Sequence, residues 1–352
     1  MRKLLFVVAL LFSFNVFSQK VDLDRYWVKF NYMRLPDAPL PEYHTYSCMV
    51  SSSSNIRDIF PEDQLCSMVM IDGWKQLESK AHISINMTFR DVIVVSNTIQ
   101  KRTEEIKNKD GKVTGKLYYY YPEVQYTWEA SANVTDHKGK TIMGNTIYST
   151  RSDTKVWKGK EYDTYELAQE FIYNNKREIK DNIVQGHITE TAKSLKQYLN
   201  NTYGYQSSWY SDALWILDNK KHPEYDGQQA ALAAVKTALA TVTAEGTLDE
   251  AKEKMKPAID YFNDLKKRIT GDEKADKKLR YSAFYGLAKI YLFLDMPDEA
   301  IKEAEGLVQN DFDTKDGKRL KEDAEELKRK LAANHTVTRH MQIDISQFEG
   351  PK

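Results

Sequence analysis

The sequence predicts an α+β protein: a largely antiparallel β-sheet domain covered by a long helix, then an all-α domain, then one returning strand. Three changes of period carry that reading. Between Arg25 and Val156 apolar residues recur mainly at every second position, the spacing of half-buried strands. From Trp209 onward the period becomes 3.6. Val337, Met341, Ile343 and Ile345 then alternate once more with polar neighbours. At 352 residues the chain is long enough for two domains, each with its own core.

Residues 1–18 have the pattern of a secretory signal. Arg2 and Lys3 give a basic start, Leu4 to Phe12 an apolar stretch, and Ser18 a small residue before Gln19. The apolar run is short for a membrane span and Ser13 and Asn15 interrupt it, so cleavage rather than anchoring is expected. No cysteine follows the run, so a lipoprotein attachment site is not expected. The expected location is periplasmic or outer-membrane-associated, with no transmembrane segment after signal cleavage.

The first folded domain is expected over 19–204. Tyr26, Val28, Phe30 and Tyr32 alternate with Trp27, Lys29, Asn31 and Met33, and Pro36, Pro39 and Pro41 close that strand. Ile83, Ile85, Met87 and Phe89 form one face of a second strand. Val124, Tyr126, Trp128, Ala130, Ala132 and Val134 form a third, followed by a turn at Asp136-His137-Lys138-Gly139 and a return through Ile142 and Ile147. A further turn at Lys109-Asp110-Gly111 precedes the run Tyr118, Tyr119, Tyr120, Tyr121. Leu167, Phe171, Ile179, Ile183, Ile188, Ala192, Leu195 and Leu199 then define the covering helix, with Thr164 as its N-cap and Gly204 as its stop. The passage Tyr126 to Thr150, with its Asp136-x-x-Gly139-Lys140 turn, resembles small domains of outer-membrane assembly lipoproteins.

Helices are expected at 207–219, 228–244, 248–269, 276–295, 297–310 and 316–333 within a second domain over 205–334, and 335–352 holds the final strand and tail. Phe284, Leu287, Ala288, Tyr291 and Ala300 fall on the spacing of a tetratricopeptide repeat, and residues 281–310 resemble that family. A second, poorer match runs from Val235 through Gly246 and Ala251 to Ala258. Ala251 and Ala300 are 49 apart, against 34 in a regular array, and Leu307 replaces a small residue. The resemblance therefore implies repeat-like hairpins docking a protein or peptide, with Phe284 and Tyr291 beside the groove. The final strand needs a sheet edge, and the strand Tyr26 to Tyr32 is the expected one.

Charge and chemistry narrow the function. The 51 basic residues balance 51 acidic ones, which removes the electrostatic case for nucleic acid or anionic lipid as the main partner. Cys48 and Cys66 are the only cysteines, and export favours pairing them, with two free buried thiols as the alternative. Eighteen apart and without flanking ligands, they do not form a metal or redox motif. None of the seven histidines has the helical i, i+4 spacing of a zinc hydrolase. Asp311, Asp313 and Asp316-Gly317 miss the calcium-loop pattern, because Lys315 takes a ligand position and the glycine arrives one residue late. Gly139-Lys140-Thr141 leads into a strand rather than the helix N-terminus a phosphate loop needs. Ser152 and Lys155 lack the remaining elements of a serine acyl-transfer site. No catalytic residue, metal or cofactor is assigned.

Aromatic residues are the strongest remaining signal. Tyr118 to Tyr121 place two rings on each face of a strand, and Tyr203, Tyr205, Trp209, Tyr210 and Trp215 crowd the domain junction. The expected function is a non-enzymatic interaction or scaffold protein of the bacterial envelope, docking envelope proteins through a helical groove and a β-domain face. The rival is a glycan-binding protein or glycan-active hydrolase using the exposed tyrosines and tryptophans. A pocket with two carboxylates among those rings favours the rival; a broad groove without them favours docking.

Overall fold

A computed structural model describes residues 20–352, so the signal reading of 1–18 lies outside the described residues. The chain divides into two compact units, one of Leu40–Gly204 with Asp344–Lys352, the other of residues 20–39 with Tyr205–Ile343. Its strands are β1 (Leu23–Arg34), β2 (Thr45–Ser52), β3 (Lys75–Gln76), β4 (Ile83–Lys107), β5 (Val113–Asp136), β6 (Thr141–Ser149), β7 (Lys155–Lys158) and β8 (Gln206–Leu217). Two short helices, α1 (Ser54–Ile59) and α2 (Glu62–Ser67), follow β2, and α3 (Tyr165–Asn174) and α4 (Lys176–Tyr203) precede β8. After β8 come α5 (Tyr225–Leu239), α6 (Asp249–Arg268), α7 (Lys274–Phe293), α8 (Pro297–Gln309) and α9 (Thr314–Ala333).

The β-rich unit is a sheet in the order β3-β2-β4-β5-β6, with β7 added to β5. β4, β5, β6 and β7 pair antiparallel, and β2 runs parallel to β3 and β4. One face is covered as the sequence predicts. Ile83, Ile85, Met87, Phe89 and the alternating β5 residues from Val124 to Val134 pack with Ile179, Ile183, Ile188, Ala192, Leu195 and Leu199 of α4. The predicted turns form at Gly111 and Gly139, whose φ values of +77° and +80° only glycine adopts cheaply. The covering helix is interrupted at Asn175, with Thr164 capping α3 by accepting from the Leu167 amide at 3.3 Å. Asn200 pins the far end of α4: its Nδ2 donates to Met70 O at 2.7 Å and its Oδ1 accepts from the Asp72 amide at 2.7 Å. Cys48 on β2 and Cys66 on α2 are disulfide-bonded, tying the parallel edge of the sheet to its crossover.

The other unit is a two-stranded sheet backed by five helices. β1 pairs antiparallel with β8 from Leu23↔Leu217 to Arg34↔Gln206. Val28, Phe30, Leu214 and Ile216 pack on Leu232 and Val235 of α5, Met255 and Phe262 of α6, and Leu287 and Ile290 of α7. A second cluster joins Tyr285, Ala288 and Leu292 of α7 to Ala300, Ala304 and Leu307 of α8 and to Leu320, Ala324 and Leu327 of α9. Each helix therefore packs chiefly on its chain neighbour, the stacking logic of repeat-like hairpins. Buried Gln228 ties three elements together, accepting from the Leu217 amide at 2.8 Å and donating to Ser282 Oγ at 2.9 Å.

Three expectations are corrected. Residues 207–219, predicted as a helix, are mostly strand β8, because Tyr210, Asp212, Leu214 and Ile216 fit period two and supply the partner β1 requires. β1, assigned by sequence to the 19–204 domain, belongs to the helical unit through that pairing. The returning strand over 337–345 does not form: the segment reaches the open edge of β1 but bonds there at Met33, without the repeated ladder a strand requires. The segment is held by other means. Met33 N–H donates to Arg339 O at 2.8 Å, Met341 N–H to Ala244 O at 2.9 Å, and the Arg339 guanidinium binds buried Asp295 at 2.6 Å. Beyond it, Lys75 Nζ donates to Ser346 O and Phe348 O at 2.9 Å each, and the Phe348 ring stacks on His44 at 4.7 Å.

Candidate functional site

The tyrosine run lies where β4 and β5 continue as a pair past the end of β2. β2 leaves β4 at Phe89, whereas β4 and β5 stay paired as far as Lys107↔Val113. Register shifts between Arg90 and Ile93, and again between Val94 and Ser96, turn the paired strands into a ribbon. Its strands are closed by the turn at residues 108–112. Tyr118, Tyr119, Tyr120 and Tyr121 stand opposite Thr103, Arg102, Lys101 and Gln100. Alternation sends two rings to each face, as expected, and a cation meets each one. Lys101 Nζ sits 3.8 Å from the Tyr118 ring centre and 5.9 Å from that of Tyr120. Arg102 lies 4.6 Å over Tyr119, and Lys158 lies 5.7 Å over Tyr121. Arg102 is itself fixed by Glu161, bonded through both oxygens at 2.5 and 2.9 Å, which holds the Glu161 carboxyl below its usual range.

The lower end of the run is anchored where Tyr120 and Tyr162 exchange backbone hydrogen bonds at 2.8 Å each. Toward the tip, Tyr118 is 45% exposed, and Ile106, Val113 and Leu117 are exposed with it. The ribbon thus presents rigid rings, fixed cations and small apolar spots together. Such a surface binds by contact area at low cost in side-chain entropy.

In the helical unit, Phe284 and Tyr291 pack between helices. Phe284 lies against Gly306 of α8, where a Cβ would strike the ring, and the Lys266 ammonium sits 4.9 Å over it. Tyr291 joins both apolar clusters, and burial raises its phenol pKa. The repeat spacing thus locates residues that pack between helices. A cleft of about 250 Å³ opens between β1, β8 and α9, lined among others by Phe30, Tyr32, Arg34, Tyr210, Asp323 and Glu326. Asp323 and Glu326 thus line it beside two tyrosines. Arg329 grips Glu326 at 2.6 and 2.9 Å and holds its carboxyl below the usual range.

Trp209 and Tyr210 are neighbours in a strand and face opposite ways. Tyr210 turns inward, where burial and the Asp212 carboxylate push its pKa far up, while Trp209 remains 69% exposed. A second exposed indole, Trp27, stands on the same outward face of the two-stranded sheet. The alternation of Trp27 with Tyr26 and Val28 already placed it opposite the core-facing residues.

No family model matches the chain, and no curated protein is similar to it. Among solved structures it is similar to a minor lipoprotein from Acinetobacter baumannii at 15% identity and a TM-score of 0.21, over 46% of this chain and 96% of that one. It is also similar to a neuraminyllactose-binding hemagglutinin homologue from Helicobacter pylori at 14% identity and a TM-score of 0.23, over 47% of this chain and 95% of that one. Likenesses of that size assign neither partner nor ligand.

Proposed function

We propose that the protein is an exported, non-enzymatic interaction protein of the bacterial envelope that docks a partner protein on its tyrosine-bearing ribbon. One observation carries this reading: the β4–β5 ribbon extends beyond its supporting strand with all four tyrosines braced by cations and with exposed aliphatic residues at its tip. Rigid aromatic anchors beside Arg are the composition of interaction hot spots. Beyond Phe89, the outer edge of β4 has no strand partner among the described residues, so a bound segment finds both rings and open backbone groups.

Crosslinking in intact producing cells, followed by mass spectrometry, tests the reading. Tyr118→Ala with Leu117→Glu should remove crosslinked partners at the ribbon while leaving the melting temperature within a degree or two. An unchanged set of partners would remove the ribbon from the function.

A further inference from the structure

The outward face of the two-stranded sheet carries a second surface, independent of the ribbon. In the register of β1 and β8, Trp27 stands opposite Ala213, Lys29 opposite Ser211, and Asn31 opposite Trp209, all on the face opposite Val28 and Phe30. The two indoles are 62% and 69% exposed. They are offset by four residues, about 13 Å along the strands. Between them and the end of α5 lies a pocket of about 330 Å³ lined by Trp27, Lys29, Trp209, Lys236 and apolar Leu239 and Val242.

Its charge is one-sided. The lining contains two lysines and no carboxylate. Neither Lys29 nor Lys236 forms an ion pair among the described residues; Lys29 sits 5.6 Å over the Trp209 ring and Lys236 sits 5.9 Å over that of Tyr26. Two ammoniums without an ion pair beside two exposed indoles leave both a negative group and an apolar ring face to be supplied from outside.

We propose that this face binds an acidic glycan, a chain of carboxylate-bearing hexoses. Pyranose rings have a flat, apolar C–H face that stacks on an indole, and the offset of the indoles suits two rings of one chain. The carboxylates pair with Lys29 and Lys236, and Ser211, opposite Lys29, offers a hydroxyl to the sugar hydroxyls. An acidic peptide supplies the charge but not a flat ring for each indole. A neutral glycan supplies the rings and leaves the lysines unanswered.

The full mature chain should be titrated with oligomers of alginate, polygalacturonate and hyaluronate, following tryptophan fluorescence and calorimetric heat. Dextran oligomers and polyglutamate are the comparison probes. At least one uronate polymer should bind, and Trp209→Ala and the pair Lys29→Ala, Lys236→Ala should each weaken it tenfold or more. Trp209→Phe should retain part of the affinity, since it keeps a stacking face, and melting temperatures should show every variant folded. Failure of all three uronates to bind the native chain overturns the proposal. So does affinity unchanged in the folded variants, and so does polyglutamate binding as tightly as the best uronate, which would reassign the face to an acidic protein segment.

Discussion

Lys289 shows how this fold treats charge inside the helical unit. It lies on α7 with only 3% of its surface exposed, and its ammonium meets the Asp212 carboxylate at 2.5 Å. Asp212 also accepts from the Tyr210 hydroxyl at 2.9 Å, so one carboxylate orients a cation and a phenol. Removing one partner of a buried pair strands the other charge, which costs far more than the pair contributes. Lys289→Ala should lower stability by about 3 kcal/mol in chemical denaturation, and Asp212→Leu with Lys289→Met should recover much of that loss. If the double variant is no better than the single one, the buried charge is not what destabilises the protein. No sequence pattern announced this pair, because the two residues are joined only through the placement of β8 against α7. Trp27 was hidden for the opposite reason. Its face was legible from alternation, but its exposure depended on learning that the strand's partner is β8, in a sheet with only two strands.

Among the elements, those with long periodic stretches were legible from the sequence. The strands around Ile83 and Val134, their turns and the long α4 appear where the apolar spacing put them, since burial of one face overrides weaker local preferences. Residues 207–219 were not, because a short apolar segment satisfies both periods and only the need of β1 for a partner decides between them. The tail over 337–345 fails similarly: alternation describes a segment able to be a strand, and a ladder requires repeated backbone bonds to one edge, whereas this segment divides its bonds between Met33 and Ala244. The disulfide is an element-scale brace. It closes a loop of 18 residues around α1 and α2, which a chain-entropy argument values at about 3 kcal/mol. Cys48→Ser with Cys66→Ser should lower the unfolding free energy of the β-rich unit by about that amount, moving its midpoint to lower denaturant. A midpoint unchanged by the replacement would mean that the helical crossover is already fixed by packing around Ile56 and Leu65.

For the whole molecule, acid sensitivity comes from its histidines before its carboxylates. Burial lowers the pKa of His44, His82, His187, His222 and His340. A histidine whose folded pKa is depressed stabilises fully above its unfolded value of about 6.5 and loses that contribution as pH falls toward the folded value. The depressed carboxylates, Glu326 and Glu161 among them, yield only at lower pH, near and below about 4.5. Stability should therefore fall between pH 7.5 and 5.5, above the range where these depressed carboxylates yield. His340→Asn should reduce that slope, because Asn keeps a donor for Thr243 O, which His340 Nδ1 now contacts at 2.8 Å, and carries no titrating group. A melting temperature flat over that range would show that these rings take up protons equally in the folded and unfolded states.

The pairing of β1 with β8 also sets an order of events during synthesis. Arg34 and Gln206 are neighbours across the sheet, yet 172 residues separate them in the chain. The β-rich unit is thus an insertion within a hairpin of its host, and nearly all of it emerges before β8 does. At about 5–20 residues per second, β1 waits on the order of ten seconds for its partner. During that interval its inward face, Val28 and Phe30, and its outward Trp27 are both uncovered. The guest is almost complete before its host can begin to fold, so the first strand made is among the last to find its place, and the interval exposes it to any chaperone or aggregate that prefers an unpaired aromatic strand.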